Sequence, residues 1–431
     1  MEWSKRSQFF NTLWSILRST IIMVILIIII GGAASYPGTL SSSVHAYTRQ
    51  VEFDFGGWTL AAIAAKLSNW ALSIERFMPS ATQSEIVLNY LGQVQKLIDI
   101  QNEMLYAYAD PIEENLDVTI KALRSNLEDQ IKLVNKLAPV AESILQSQLM
   151  DVLSENDLDI LNQVLPPSLF HASDVPLSLV VSPRSEILQV LDVSLLPGMT
   201  AEGMAELEDR IFEDLDYAAL VVPVGGVGTY PTMVMQTTDI VWLTEVISHE
   251  WVHNFLTLHP LGMNYYTNDE LRTINETTAS LAGKEIGHLI LKKFYPEHLP
   301  PEQETAQDDQ TIPRVEHKPE ELTFDFQREM RITRVETERL LAEGKIDAAE
   351  AYMEMRRQYF WDNGYTIRKI NQAYFAFYGA YNDEPGGGAA GEDSIGPAVV
   401  ALRAKCRSLS NFLKEIAWVN SYDELWILLE T

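Results

Sequence analysis

One helix constrains this chain more than any other feature. Val241, Leu243, Val246, Ile247, Trp251, Val252, Phe255, Leu256 and Leu258 make the stretch after Asp239 apolar nearly all round, and a helix of that kind belongs in the middle of a domain. Thr237, Thr238 or Asp239 supplies its N-cap, and His259-Pro260-Leu261-Gly262 ends it. Within this apolar surface lie His249, Glu250 and His253, three groups that are costly to bury unless something satisfies them. Histidines four residues apart sit about 40° apart on a helix of ~3.6 residues per turn, so both imidazoles can reach one metal ion. Glu250, directly after the first histidine, then falls close enough to a metal-bound water to act as its base. The plain alternative is a core helix whose histidines bond to backbone carbonyls; the flanking sequence favours the metal.

A catalytic zinc usually has three protein ligands and one open position, so a third ligand is needed. His259 lies six residues past His253, but an unbroken helix, with Leu256 where a glycine would have to break it, carries it ~9 Å along the axis at ~1.5 Å per residue. Glu276 is the better candidate. It opens a second helical stretch running to about Lys293, after the turn-rich segment Gly262 to Asp269. Small Ala279, Ser280, Ala282 and Gly283 would let this helix pack closely beside the first.

HExxH, a connector, and then Asn275-Glu276-Thr277-Thr278-Ala279 on a following helix resembles the gluzincin metallopeptidases, a group that includes thermolysin-like enzymes and zinc aminopeptidases. The resemblance implies His249, His253 and Glu276 as Zn2+ ligands, Glu250 as general base and Asn275 as a neighbour shaping the site. It covers about 50 residues. The 22 residues between His253 and Glu276 form a connector a little longer than in either subgroup. Ser280 stands where thermolysin-like enzymes carry an aspartate supporting a histidine. Lys369 to Tyr378 faintly resembles bacterial predicted-aminopeptidase families. Gluzincins commonly bind the developing oxyanion with a tyrosine or histidine from a C-terminal helical segment, and Tyr378 or Tyr381 would serve here, on a face shared with Asn371 and Tyr374.

Upstream, Pro176–Ser182 and Glu186–Val193 read as strands, Met199–Asp214 as a helix, and Tyr217–Val224 and Tyr230–Met235 as strands joined by a glycine turn. Pro231 favours an edge position for the last strand, where an extended substrate could pair by strand addition. Gly225-Gly226-Val227-Gly228 lacks the Lys-Ser/Thr of a phosphate loop and reads as a turn.

Thr20 to Ala34 is a dense apolar run with Lys5, Arg6 and Arg18 on one side, which predicts an uncleaved signal-anchor with the remainder extracytoplasmic. Its core is shorter than the ~20 residues of a comfortable span, and Ala33, Ala34 and Ser35 offer an alternative cleavage site, giving a secreted form. With 60 acidic against 32 basic side chains and a net charge of −28, the surface repels nucleic acid. The single cysteine, Cys406, excludes an intrachain disulfide.

The expected class is α+β and mainly helical. A zincin-like core, with a small mixed or antiparallel sheet and an active-site helix, spans 166–295. Before it come the membrane segment 1–35, a linker 36–54 and a helical region 55–165, in which Val87, Tyr90, Val94 and Leu97 pair with Ile120, Leu123, Leu127, Ile131 and Val134 at helical spacing. After it come an acidic, proline-rich linker 296–322 and a C-terminal helical region 323–431, opening with a hairpin around Gly344-Lys345. Function is then expected to be a zinc-dependent peptidase acting on a peptide or protein substrate and tethered to a membrane through its N-terminal helix. Two other classes stay open: a closed four-ligand zinc site using His259 or Asp269, without activity, and a tethered interaction protein in which HExxH is fortuitous.

Overall fold

The computed structural model describes residues 38–70, 78–109, 116–160, 163–265, 267–300, 324–379 and 395–430. Among them the chain is mostly helical with small mixed sheets, an α+β architecture. In order, α1 (Leu40–Thr48), α2 (Phe55–Trp70), α3 (Ser80–Ala109) and α4 (Leu116–Glu155) are followed by β1 (Asp159–Ile160), β2 (Gln163–Val164), β3 (Phe170–Ser173), β4 (Leu177–Pro183) and β5 (Leu191–Leu195). Next come α5 (Ala201–Leu215), β6 (Tyr217–Pro223), β7 (Gly226–Val227), β8 (Thr232–Met235), α6 (Ile240–Leu256), α7 (Pro260–Met263) and α8 (Asp269–Phe294). The chain closes with α9 (Phe326–Ala342), α10 (Ile346–Asp362), α11 (Gln372–Tyr378), α12 (Ile395–Lys405), α13 (Leu409–Ile416) and α14 (Tyr422–Glu430).

The apolar faces of α3 and α4 pack together, but the contact lies further along α4 than the Ile120–Val134 spacing predicts, with Leu127 half-buried and Ile131 exposed. Val87, Tyr90, Leu91 and Val94 share one buried cluster with Val134, Ala138, Ala141 and Ile144, and Gln130 Nε2 donates to the Gln93 carbonyl at 2.8 Å where the chain has turned back on itself. The same cluster takes in Ile247, Trp251 and Val252 of α6, Ile274, Ala282 and Ile286 of α8, and Val399, Phe412 and Leu425 from the C-terminal helices. The all-round apolar helix is therefore central, as its composition requires.

β4 is the middle strand of an antiparallel sheet ordered β5-β4-β6, in register Val180↔Leu220 and Leu179↔Val193. Alternation along β4 splits its faces. Leu179 and Val181 pack with Leu207 and Ile211 of α5, whereas Val180 packs with Ala373 and Tyr378 of α11. The second sheet is ordered β3-β8-β7, with β3 parallel and β7 antiparallel to β8. Two local expectations are corrected here. β8 is central rather than an edge, because it begins at Thr232, one residue after Pro231, so the missing N–H of the proline lies outside the ladder. The glycine segment is not merely a turn: Gly226 and Val227 form the edge strand β7.

A single-pass membrane location with an extracytoplasmic domain does not stand. Among the described residues no helix is long and apolar enough to cross a membrane, and the Thr20–Ala34 run lies outside the described residues. The moderately apolar α2 is 16 residues long, short of the ~20 a span needs, and its Lys66 is ion-paired with buried Glu142.

Candidate metal centre

α6 starts where Asp239 caps it, accepting from the Val241 and Trp242 amides at 2.8 and 3.3 Å. Asn268 caps α8 in the same way, accepting from the Leu271 amide at 2.8 Å. The two helices then cross with almost no space between them. A Cβ on Gly283 would lie 2.9 Å from the N, Cα and Cβ of His249, and one on Gly287 would lie 3.0 Å from the Glu245 backbone. Glycine at these positions is what lets α8 approach the histidine-bearing face. Ala279 and Ala282 are fully buried beside them.

That crossing brings His249, His253 and Glu276 together. Their ligand atoms lie within 4.8 Å of one another. His249 Nε2 and His253 Nε2 are 2.9 Å apart, and Glu276 Oε2 lies 3.7 and 3.4 Å from them. Ligands ~2.0–2.1 Å from a tetrahedral zinc would stand ~3.3 Å apart, a value these distances bracket. Two imidazole nitrogens and one carboxylate oxygen also suit zinc chemically.

The supports of the ligands tell the same story. His253 Nδ1 donates to Asn275 Oδ1 at 2.8 Å, so that, once the ring gives up its second proton, the Nε2 lone pair faces the cluster. The tyrosine hydroxyl of Tyr265 donates to Glu276 Oε1, while Glu276 Oε2 is buried with no hydrogen-bond partner. An unsatisfied buried carboxylate oxygen beside two converging imidazole nitrogens is a place built for positive charge. Burial pushes the Glu276 carboxyl up, but the nearby His253, with the His249 charge and the Tyr265 hydrogen bond, outweighs it and lowers it to about 2. For His253, burial acts downward and is overcome by Glu276 and Glu250, which raise it to about 9.

Glu250 lies one residue beyond His249 on the same helix and is 6 % exposed. Its Oε2 has no hydrogen-bond partner. Burial, with some help from Glu276 and against His253, pushes its carboxyl up to about 7, where a general base works best. The glycine segment contributes to that burial: a Cβ on Gly226 would come within 2.6 Å of Glu250 Oε1. Gly226, Val227 and Gly228 line the same cleft of about 480 Å³ as His249, Glu250, His253 and Glu276.

The other residues singled out by sequence fall elsewhere. His259 donates from Nδ1 to the Phe255 carbonyl at 2.8 Å and its ring meets Trp418, so it stands apart from the ligands. Asp269 lies 3.7 Å from Arg272 instead. Tyr378 packs against the β4–β6 sheet with Val180, Leu220 and Val222 and does not line the cleft, which Phe377 of the same helix does. The helix begins at Gln372, where Asn371 caps it and donates to the Ala219 carbonyl at 2.9 Å. Tyr381 lies outside the described residues. Sequence reasoning missed Tyr265 and Arg272, which both line the cleft. Arg272 stands one helical turn before Glu276, a signal that was there to be read.

No protein-family model, no curated protein and no solved structure matches this chain.

Proposed function

We propose that this protein is a zinc-dependent peptidase built on a zincin-like arrangement of α6, α8 and the β3-β8-β7 sheet. The observation that carries the reading is a three-ligand cluster with a buried, unpartnered carboxylate beside it, all facing one cleft. His249, His253 and Glu276 would hold the ion, with Asn275 fixing the His253 tautomer and Tyr265 fixing the Glu276 carboxylate. A bound zinc supplies Lewis acidity toward a scissile carbonyl and toward water.

The remaining work falls to this chain's own groups. Glu250, buried beside the ligand cluster, accepts a proton from the attacking water and returns it to the leaving nitrogen. The glycine segment packed on its carboxylate keeps bulk water away from that side. β7, at a sheet edge and lining the cleft, offers main chain alongside which an extended substrate can lie. Three protein ligands, with His259 bonded elsewhere, favour an open site over a closed structural one.

The test is elemental analysis after zinc has been supplied, followed by a peptide-library screen. Wild type should hold about one zinc per chain, as one three-ligand site requires, and His249→Ala and Glu276→Ala should lose it. Glu250→Gln should keep the zinc and lose turnover by about 10²- to 10⁴-fold, the range of a general base. A folded wild type that takes up no zinc would sink the reading.

A further inference from the structure

Arg272 is 7 % exposed and lines the same cleft as the ligand cluster. Its Nη2 donates to the Ala376 carbonyl at 2.7 Å, and its nearest ion-pair partner, Asp269, is 3.7 Å away. Its Nε is buried with no hydrogen-bond partner. A guanidinium has five N–H donors in a rigid fork suited to carboxylates, and this one is far from saturated. A second orphan lines the same cleft, Gln189, whose Oε1 is buried without a partner.

The charges around Arg272 do not cancel it simply. Asp269 and Asp192 are the acids that face it. Burial pushes both carboxyls up, and Arg272 only partly opposes that push. Position matters as well. Arg272 and Glu276 are four residues apart on α8, ~6 Å along the axis at ~1.5 Å per residue. An extended peptide advances ~3.3–3.6 Å per residue, so a substrate carboxylate one or two residues from a carbonyl at the ligand cluster falls within reach of the guanidinium.

We infer that Arg272 forms a carboxylate-binding subsite, so that the cleft selects peptides bearing a negative charge one or two residues from the bond to be cut. This rests on the peptidase reading for the placement of the scissile bond, but not for the binding itself. The carboxylate has two possible sources, the free C-terminus of a short peptide or an aspartate or glutamate side chain within a longer one.

The experiment is titration calorimetry with the zinc-supplied full chain carrying Glu250→Gln, so that nothing is turned over. Three capped peptides serve as probes: acetyl-trialanine with a free carboxylate, the same peptide as its amide, and an acetyl-Ala-Glu-Ala amide. At least one carboxylate peptide should bind about 10- to 100-fold tighter than the neutral amide, the worth of a charge-assisted hydrogen bond. Which one does so identifies the source. Adding Arg272→Gln should erase that preference while leaving zinc content unchanged, and Arg272→Lys, which keeps the charge, should retain part of it. Equal binding of all three probes to the parent overturns the inference without any variant being made. Equal weakening of acid and amide by Arg272→Gln overturns it too, making Arg272 a strut between α8 and α11. A carboxylate preference in a protein that holds no zinc would sustain the subsite and break the zinc reading instead.

Discussion

Among the described residues, the buried carboxylate centres at Glu142 and at Glu276 are finished differently. Glu142 on α4 is 3 % exposed, and both its oxygens are used. Oε1 accepts from His171 Nδ1 at 3.0 Å and the Ala172 amide at 2.9 Å, and Oε2 is ion-paired with Lys66. Glu276 on α8 is 5 % exposed, but only its Oε1 has a donor, Tyr265. Its Oε2 is left facing two imidazole nitrogens, and Glu250 beside it has an unpartnered oxygen as well. A closed polar cluster ties elements together: here α2, α4 and β3. An open one leaves valence for something the chain does not itself contain. Burial alone does not mark a functional acid; incomplete satisfaction in a cleft does.

The sharpest way to break this contrast is to empty each centre in turn. Glu142→Ala leaves the half-buried Lys66 unpaired and should cost about 3–5 kcal/mol of stability. Zinc affinity of the folded fraction should be unchanged, as read by denaturant melts and metal titration. A neutral result would mean that the cluster is not what ties α2 to α4. Next in size, Asn275→Ala removes the acceptor that orients His253 and should weaken zinc binding about 10- to 100-fold. An affinity matching wild type in a competitive chelator titration would show that the histidine is held by other means.

Gly283→Ala tests the helix crossing that puts the open centre together. Its methyl would meet backbone atoms of His249, costing about 1–3 kcal/mol as overpacking, partly offset by about 1 kcal/mol of helix propensity. Both thermal stability and zinc affinity should fall, and an alanine variant that raises both would refute close approach. The smallest effect is in the pH dependence of the closed centre. Burial alone would raise the Glu142 carboxyl, but the Lys66 charge and the His171 hydrogen bond and charge overcome it and leave it lowered in the folded state. A lowered folded value means that the stabilisation is present above the unfolded carboxylate range and is lost as pH falls through the folded one. Stability should therefore drop on acidification, and Glu142→Gln should flatten that slope relative to wild type.

Much of the candidate site could be read in the sequence because it depends on short-range spacing. His249, Glu250 and His253 share one helix, and the small residues of α8 announced its close packing. β4, β6 and β8 were placed because alternation and turns are local signals, whereas β5 begins only at Leu191, within the expected Glu186–Val193 strand, and β3 was not read. The roles of Tyr265 and Gly226 were not legible because they arise only when the segment after α7 and strand β7 fold onto the cleft; the spacing of Arg272 from Glu276 was visible, but its contact with α11 arises only in the fold. Tyr378 shows the converse. Its helical spacing with Tyr374 was visible, but which face of α11 meets the sheet is fixed by Val180 and Leu220, far away in sequence.

The candidate ligands are split between α6 and α8, which are joined only through the connector; with Cys406 alone, no disulfide can cross-link them. An ion in this position would act as a removable rivet through the crossing of two central helices. Its contribution to folding would grow only logarithmically with its free concentration above the dissociation constant. The rigidity of the molecule's middle would thus be set partly by the medium: firm where the ion is plentiful, looser wherever a stronger chelator competes for it.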